Sequence, residues 1–352
     1  MVSEAPPFWW SKADWRAWSL YPASLVYGAV ARSRMENAPR REVAAPVLCV
    51  GNFTVGGAGK TPTALSLCGE AAKAGFSPGF LSRGYGGSLR SVAMVDRQRH
   101  HAADVGDEPL LLAEIAPTVV SPDRYAGAQK LLGEGVDFII MDDGFQSASV
   151  HFDYALLVVD ALRGIGNGHV IPGGPVRAPM LDQMRNASAL LIIGDGTAAD
   201  PVIRIAGRAA KPVYSARLAV RKSRSFRGKR VLAYAAIGNP EKFFNSLRGT
   251  GAHVVAERSF GDHHKFGEEE ATELIDAAAK HNLELITTSK DMARLRDARG
   301  KVAELAEKSR VLEVQLRLDQ PHLARSFIDR TVQSFRKRQL AAAQKLNRIK
   351  GV

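Results

Sequence analysis

Short, unbroken apolar runs alternate with helix-compatible stretches from about residue 45 to residue 217. Continuous apolar strands are typical of a parallel sheet whose two faces are both covered by helices. The runs that predict strands are 47–50, 79–81, 117–120, 136–141, 154–159 and 189–193. The pattern therefore predicts an α/β lobe over residues 45–217, built on a parallel sheet with helices on both faces.

A second alternation follows a basic, loop-like stretch at 221–230. It predicts strands and helices in turn, at 230–237, 241–247, 253–255, 268–280 and 284–288. We expect a smaller α/β lobe over residues 218–328. A basic helix over 329–352 should follow it, with a solvated charged face.

The first 44 residues differ from the rest of the chain because they hold all four of its tryptophans, Trp9, Trp10, Trp15 and Trp18. Such rings favour the headgroup level of a bilayer. The uncharged stretch 17–31 is shorter than the roughly 20 residues that a spanning helix needs. We therefore expect an amphipathic helix over residues 1–44 that lies at the membrane interface, with a secretory signal or a plain packing helix as alternatives.

Composition and charge indicate a polyanionic partner but do not identify which one. The chain has 352 residues, 45% of them hydrophobic, which is enough for more than one core. Its net charge of +12 implies affinity for polyanions, whether nucleic acid, an anionic membrane or a phosphorylated substrate. Cys49 and Cys68 lie on predicted buried elements and give no sign of a disulfide framework.

A glycine-rich turn connects the first predicted strand to a helix that opens with Lys60 and Thr61. Closely spaced glycines let backbone amides point at phosphate oxygens, and the helix N-terminus adds partial positive charge. The residues predicted to bind the phosphates of ATP are Thr54, Val55, Gly56, Gly57, Ala58, Gly59, Lys60 and Thr61. Lys60 would reach the β- and γ-phosphates, and the Thr61 hydroxyl would ligate Mg²⁺.

One position departs from the common phosphate-loop pattern, which has glycine where this chain has Thr54. The preceding strand, the following helix and the other glycines still favour a phosphate-binding loop. A glycine-rich turn that binds nothing is the alternative.

Asp142 and Asp143 follow the apolar run 136–141, at the carboxyl end of a predicted buried strand. Ligands of parallel α/β sheets bind at this edge. A phosphate-loop enzyme needs a carboxylate there to hold magnesium, because the metal neutralises the triphosphate. Two adjacent aspartates offer one carboxylate for the metal and one for a second role, whereas a turn-initiating Asp-Asp-Gly is the alternative.

Two further acidic or basic groups are candidates for proton transfer. Asp107 and Glu108 form a carboxylate pair fixed by Pro109, and one of them could accept a proton from a substrate hydroxyl. His263 follows Asp262 in a short loop of the second lobe, where the carboxylate can orient the ring and raise its basicity. A surface acid pair and a polar loop are the respective alternatives.

Three arginines near predicted strand ends, Arg83, Arg124 and Arg177, are candidate phosphate ligands. A guanidinium can bind phosphate oxygens in bidentate fashion. Solvated surface arginines would look the same in the sequence.

Six stretches, taken in order, resemble the tetraacyldisaccharide 4'-kinases of lipid A biosynthesis. They are 51–62, 82–87, 106–109, 142–146, 167–177 and 260–264, so the similarity covers most of the chain. Thr54 looks like the family's own form of the loop. Many relatives have a glutamate where this chain has Ala178, so any contact from that glutamate cannot be carried over.

The resemblance implies a kinase that transfers the γ-phosphoryl group of ATP to the 4'-hydroxyl of a tetraacylated glucosamine disaccharide 1-phosphate, which forms lipid IVA. It implies Mg²⁺ as a cofactor and the cytoplasmic face of the anionic inner membrane as the location, with the protein peripheral or monotopic. No nucleic-acid partner is expected. Asp107 would be the base with His263 assisting, Asp142 would hold the metal and Asp143 would position phosphate beside Lys60.

Two functions of other classes stay open on the sequence. In the first, a soluble phosphate-loop kinase or NTPase acts on nucleic acid, and the basic charge binds the phosphodiester backbone. In the second, a nucleotide-gated adaptor binds ATP as a switch and transfers no phosphate.

Overall fold

The computed structural model describes residues 5–147, 149–296 and 298–350. Residues 1–4 of the predicted membrane-interface segment and residues 351–352 of the predicted basic helix lie outside this part of the chain.

Helices and strands alternate along most of the described chain. The helices are α1 (Trp15–Ser19), α2 (Tyr21–Asn37), α3 (Lys60–Lys73), α4 (Ala102–Val105), α5 (Asp107–Leu112), α6 (Arg124–Gly133), α7 (Met180–Asn186), α8 (Asp200–Arg208), α9 (Pro240–Arg248), α10 (Glu268–His281), α11 (Ser289–Leu295), α12 (Gly300–Lys308) and α13 (Leu323–Lys350). The strands are β1 (Val47–Gly51), β2 (Pro78–Ser82), β3 (Ala93–Met94), β4 (Thr118–Val120), β5 (Phe138–Asp142), β6 (Tyr154–Asp160), β7 (Ala189–Ile193), β8 (Val213–Val220), β9 (Arg230–Ala235), β10 (His253–Ser259), β11 (Glu284–Thr288), β12 (Ser309–Leu312) and β13 (Val314–Leu318).

The larger lobe is built on a sheet whose strand order, across the described residues, is β13-β8-β7-β6-β1-β5-β2-β4-β3. Its neighbours pair in parallel except at the two edges, where β13 and β3 run antiparallel to β8 and β4. All six apolar runs predicted as strands form strands of this sheet. The register pairs Val50 with Asp142, so the carboxyl ends of β1 and β5 meet beside the glycine-rich turn.

Two core clusters cover the two faces of the larger sheet. Leu48, Val50 and Leu156 contribute to a cluster with Leu67 of α3, while Cys49, Met141 and Leu157 contribute to a cluster with Leu131 of α6. Neighbouring residues of a strand point to opposite faces, so a strand that is apolar throughout can serve both clusters. This arrangement fixes the carboxyl edge of the sheet as the rigid base of the site.

The smaller lobe has a parallel sheet of order β10-β9-β11-β12 across the described residues. The chain then returns to the larger lobe, because β13 pairs with β8. The range predicted for the smaller lobe, 218–328, thus contains strands of both sheets. The first strand of the smaller sheet is β9. The chain leaves the larger sheet after β8 and returns to it at β13, so two chain segments connect the lobes.

The C-terminal helix α13 begins at Leu323, earlier than residue 329 expected from the charge pattern. Phe327 and Ile328 lie in the same core cluster as Leu67 of α3. The Arg338 side chain is 9% exposed, and its Nε donates to Asp153 Oδ1 at 3.0 Å. The buried apolar residues recur at helical spacing at 323, 324, 327 and 328, before the range 329–352 that was expected to carry a solvated charged face, so the first turns of α13 pack against the larger lobe.

The N-terminal aromatic residues divide into two groups. Trp15 and Trp18 are exposed, at 76% and 59% of their surface, as are several apolar residues of α2. Trp9 is partly buried, and its Nε1 donates to the Pro172 carbonyl at 3.0 Å.

None of the helices in the described ranges has the length and apolar character needed to cross a bilayer.

Candidate active site

The turn between β1 and α3 has the backbone of a phosphate-binding loop. Gly56 and Gly59 have φ angles of 96° and 95°, a region that favours glycine, which explains why the sequence needs glycines there. Lys60 is buried, and its Nζ lies 3.4 Å from the Gly56 carbonyl and 3.7 Å from Asp143 Oδ2. The loop therefore curls around the lysine ammonium at the N-terminus of α3.

Asp142 lies at the end of β5 with only 1% of its surface exposed. Neither carboxyl oxygen has a hydrogen-bond partner among the described residues. Burial and the negative charge of Glu108 raise the pKa of Asp142 to about 8. A buried carboxylate without a partner is costly, so this group fits a bound cation. Thr61, the other residue predicted to ligate the metal, is buried at the start of α3.

Asp143 is a counter-ion for two positive charges. The Arg177 guanidinium donates to Asp143 Oδ1 at 2.7 Å and to Oδ2 at 3.0 Å, while its Nε donates to the Thr54 carbonyl at 3.0 Å. Burial alone would raise the pKa of Asp143, but Arg177 and Lys60 outweigh it and hold that pKa well below its usual range. Arg177 thus ties Asp143 to the backbone of the phosphate loop.

The structure brings Asp107 and His263 together from the two lobes. Asp107 lies buried in the first turn of α5, and His263 lies in the loop after β10 with a φ of 60°. His263 Nδ1 is 3.5 Å from Asp107 Oδ2. The hydrogen bond to Asp107 raises the pKa of His263 against the opposing effect of burial. Burial would raise the pKa of Asp107, but His263, Lys290 and Arg294 hold it well below its usual range.

Sequence reasoning missed two cations of α11 that meet this pair. The Arg294 guanidinium donates to Asp107 Oδ2, and Lys290 Nζ donates to Glu108 Oε1 at 2.5 Å. A signal was present, because these residues follow the carboxyl end of the predicted strand 284–288. The same argument that selected Asp142 would have selected Lys290.

A third ion pair joins the lobes on the other side of the phosphate loop. Lys242 Nζ, on α9, donates to Asp160 Oδ2 at the end of β6, at 2.8 Å. Asp160 also borders a recess beside the phosphate loop, together with Arg163 and Trp10. The Arg163 guanidinium lies 4.8 Å from the centre of the Trp10 ring. Trp10 thus packs beside the candidate nucleotide site, a role that its tryptophan-rich surroundings did not indicate.

The other candidate arginines lie along the same sheet edge. Arg124 is buried at the start of α6, and its Nη1 donates to the Ser121 carbonyl at 2.6 Å. Burial and the positive charge of Arg83 lower the pKa of Arg124 to about 10. Its Nε has no hydrogen-bond partner within the described chain. Two like charges this close favour an anionic ligand.

His264, the neighbour of His263, faces away from this cluster. Its Nε2 lies 2.8 Å from Glu270 Oε2, and its ring stacks on Phe260 with centroids 5.3 Å apart. Adjacent residues of the loop therefore have different surroundings, one at the lobe interface and one against α10.

The fold and the site define a phosphate-loop protein in which an aspartate of one lobe contacts a histidine of the other. A family model described as Tetraacyldisaccharide-1-P 4'-kinase matches residues 16–333. The chain belongs to this family, as the resemblance in the sequence implied.

Curated relatives and a solved structure agree with this placement. A tetraacyldisaccharide 4'-kinase of Rhizobium meliloti is 56% identical over 340 residues, covering 97% of this chain and 98% of that protein. One of Agrobacterium fabrum is 54% identical over 340 residues, with the same two coverages. The crystal structure of LpxK from Aquifex aeolicus in complex with ATP covers 90% of this chain and 99% of that one, with a TM-score of 0.68 at 24% identity. That similarity confirms the predicted fold.

Proposed function

We propose that this protein transfers the γ-phosphoryl group of ATP to the 4'-hydroxyl of a tetraacyldisaccharide 1-phosphate, forming lipid IVA. The observation that supports this most is the meeting of Lys60 and the unpartnered Asp142 with the Asp107–His263 pair of the lobe interface. The names of the curated relatives support the choice of acceptor.

The phosphates of ATP would lie in the loop 54–61. Backbone amides and the α3 N-terminus bind the phosphate oxygens, and Lys60 neutralises charge on the group that is transferred. Asp142 and Thr61 would hold Mg²⁺, which when bound neutralises the triphosphate and orients it. Arg177 keeps Asp143 fixed beside Lys60, so the cationic groups are in place before ATP arrives.

The Asp107–His263 pair would take the proton of the acceptor hydroxyl. The hydroxyl oxygen forms a bond to the γ-phosphorus, the bond from that phosphorus to the bridging oxygen breaks, and ADP leaves. The proton passes to the pair, which titrates as a unit because its members are in contact. Closure of the two lobes would exclude water from this step.

The acceptor keeps its acyl chains in a bilayer, so the enzyme has to work at a membrane surface. The exposed side chains Trp15, Trp18, Leu25, Val26 and Val30 offer an apolar face at the N-terminus. Together with the net charge of +12, this face suits the anionic cytoplasmic side of the inner membrane. The nucleic-acid alternative has no comparable support, since the relatives act on a lipid disaccharide by name.

Purified protein incubated with Mg²⁺, γ-labelled ATP and the disaccharide 1-phosphate lipid should label the lipid. We expect Asp107→Asn and His263→Ala each to lower kcat by on the order of 10²-fold, because each removes a partner of the proton-accepting pair. Binding of a non-hydrolysable ATP analogue should persist in both. The matched control is His264→Ala, which changes the neighbouring imidazole and should keep near-parental turnover. Lipid labelling at the parental rate in both Asp107 and His263 variants would refute their assignment.

Membrane attachment should depend on Trp15 and Trp18. Replacing both with Ser should lower recovery with floated anionic vesicles by about tenfold or more, since each buried aromatic ring contributes on the order of 1.5–3 kcal/mol. Trp10→Ser is the matched control, because this ring packs beside the phosphate loop and should leave flotation near the parental value. Equal recovery of the double variant and the parent would contradict the proposed membrane face.

A further inference from the structure

Both oxygens of the candidate base are occupied by protein donors. Asp107 Oδ1 accepts the backbone N–H of Glu108 at 3.0 Å, and Asp107 Oδ2 accepts the Arg294 guanidinium. The same Oδ2 atom is the one that His263 Nδ1 approaches at 3.5 Å. The orientation of this carboxylate is therefore set by its contacts with other residues, and two of those residues, Arg294 and His263, come from the opposite lobe.

Arg294 is itself held firmly within the smaller lobe. Its side chain is 7% exposed, and Nη1 donates to the Ala236 carbonyl and to Asp291 Oδ1, each at 2.7 Å. Asp291 is fixed in turn by the Thr288 hydroxyl at 2.7 Å and by the Ala236 amide at 3.2 Å. One nitrogen of the guanidinium is thus anchored in the smaller lobe, while the other nitrogen reaches the larger one.

The nitrogen that reaches across the interface contacts both members of the pair. Arg294 Nη2 donates to Asp107 Oδ2 and lies 3.4 Å from His263 Nδ1. We infer that Arg294 is a positioning residue for phosphoryl transfer, which aligns Asp107 with His263 when the lobes are closed. This inference rests on the proposed kinase function and adds to it a residue that acts through Asp107 and His263.

A second contact from α11 to the larger lobe supports the same alignment. Lys290, one turn earlier on the same helix, pairs with Glu108, the residue after Asp107. Two adjacent carboxylates of the larger lobe are therefore gripped by two cations at i and i+4 of one helix. Any rotation or shift of the smaller lobe would move both contacts together, so the alignment of the pair depends on how α11 packs against α5.

The charge of Arg294 acts on both members of the pair in the same direction. A positive charge lowers the pKa of Asp107 and also lowers that of His263. The other titratable or charged groups that act on the pair or on its neighbour Glu108 are Lys290 and Asp291 of α11, Asp262 and Tyr85 in the facing loops, Glu108 itself on α5 and Lys60 of α3. Removing Arg294 should therefore raise the pH at which the pair loses its last proton.

The test compares Arg294→Met, Arg294→Lys and the control Arg296→Met in the full chain. Arg296 follows the same helix directly and also approaches the larger lobe, but it is 44% exposed and its contact with Glu114, at 3.9 Å, is loose. For Arg294→Met we expect kcat to fall by about tenfold or more with KM for ATP within about twofold of the parent. The acid limb of log kcat/KM against pH should move up by about one unit. Arg294→Lys should keep the parental limb and recover part of kcat, and Arg296→Met should match the parent.

An acid limb that stays in place for a folded Arg294→Met protein would overturn the inference, as would turnover equal to that of Arg296→Met. If circular dichroism shows that Arg294→Met does not fold, Arg294→Lys decides: reduced kcat at an unmoved acid limb supports the inference, and parental kcat overturns it. Absence of lipid labelling by the parent protein would instead refute the proposed function. If the parent is active and the Arg294 variants match it, only the inference about Arg294 is refuted.

Discussion

Lys60→Met should lower kcat for phosphoryl transfer by at least about 10³-fold, because the ammonium supplies charge where the transferred group develops it. Methionine has similar length and suits a buried position, so the fold should persist. In the structure Lys60 Nζ contacts Asp143 Oδ2 at 3.7 Å, but Arg177 continues to satisfy that carboxylate in the variant. We therefore expect a lower kcat with little change in the melting temperature.

The matched control for this substitution is Lys73→Met at the other end of the same helix. Lys73 has 78% of its side chain exposed and meets Glu70 at 3.6 Å, a surface pair of small energetic weight. Turnover of the Lys73 variant should equal that of the parent within about twofold. A Lys60→Met protein that still labelled lipid at a tenth of the parental rate would contradict the assignment of loop 54–61 to the phosphates.

The parts of the fold that the sequence predicted well are those whose side chains are apolar on both strand faces. Strand β5, for example, is buried at every position and was evident from the run 136–141. Strand β13 was not predicted, since its alternation of apolar and polar residues at the sheet edge is short and carries Gln315 and Arg317. Its pairing with β8 depends on the return of the chain from the smaller lobe, which no local pattern reports.

The candidate site was predictable in the same uneven way. The glycine-rich turn and Asp142 follow directly from a strand that ends at the ligand-binding edge. The contact of Arg294 with Asp107 joins residues 187 positions apart in two lobes, so it is visible only in the folded chain. The different surroundings of Trp10, beside the phosphate loop, and of the exposed Trp15 likewise required the structure, because composition alone suggests one role for all four tryptophans.

Three of the four carboxylates nearest the phosphate loop and the lobe interface are paired with a cation, and Asp142 is the exception. Asp143 meets Arg177, Asp107 meets Arg294, and Glu108 meets Lys290. These pairs place cationic side chains near the phosphate loop, and the carboxylates neutralise those cations when ATP is absent. Asp142 alone among these four carboxylates has oxygens without a partner in the described chain. Its surroundings therefore store an unfavourable interaction that a bound cation would relieve.

Asp142→Asn should lower activity while it raises the stability of the nucleotide-free protein. We expect the variant to lose at least about 10³-fold in kcat, because the amide is a poor replacement for the carboxylate that holds Mg²⁺. In nucleotide-free protein the same change should raise the free energy of unfolding by on the order of 1 kcal/mol, since Asp142 has to take up a proton or bury an unpartnered charge on folding at neutral pH, and Asn does neither. Thermal unfolding with and without MgATP measures both effects, and the stabilisation by MgATP should largely disappear.

Asp153→Asn is the control that tests the sign of this argument. Asp153 is also a buried carboxylate beside β1, but it accepts the Val47 amide at 2.9 Å and the Arg338 Nε at 3.0 Å. Breaking that pair leaves the partly buried Arg338 with only the exposed Glu42, at 3.2 Å, as its counter-ion, which should destabilise the protein by about 3 kcal/mol. Opposite shifts in melting temperature for the two variants are thus expected. A lower melting temperature for Asp142→Asn than for the parent, or transfer activity in that variant at the parental level, would show that Asp142 is satisfied by the protein and does not await a cation.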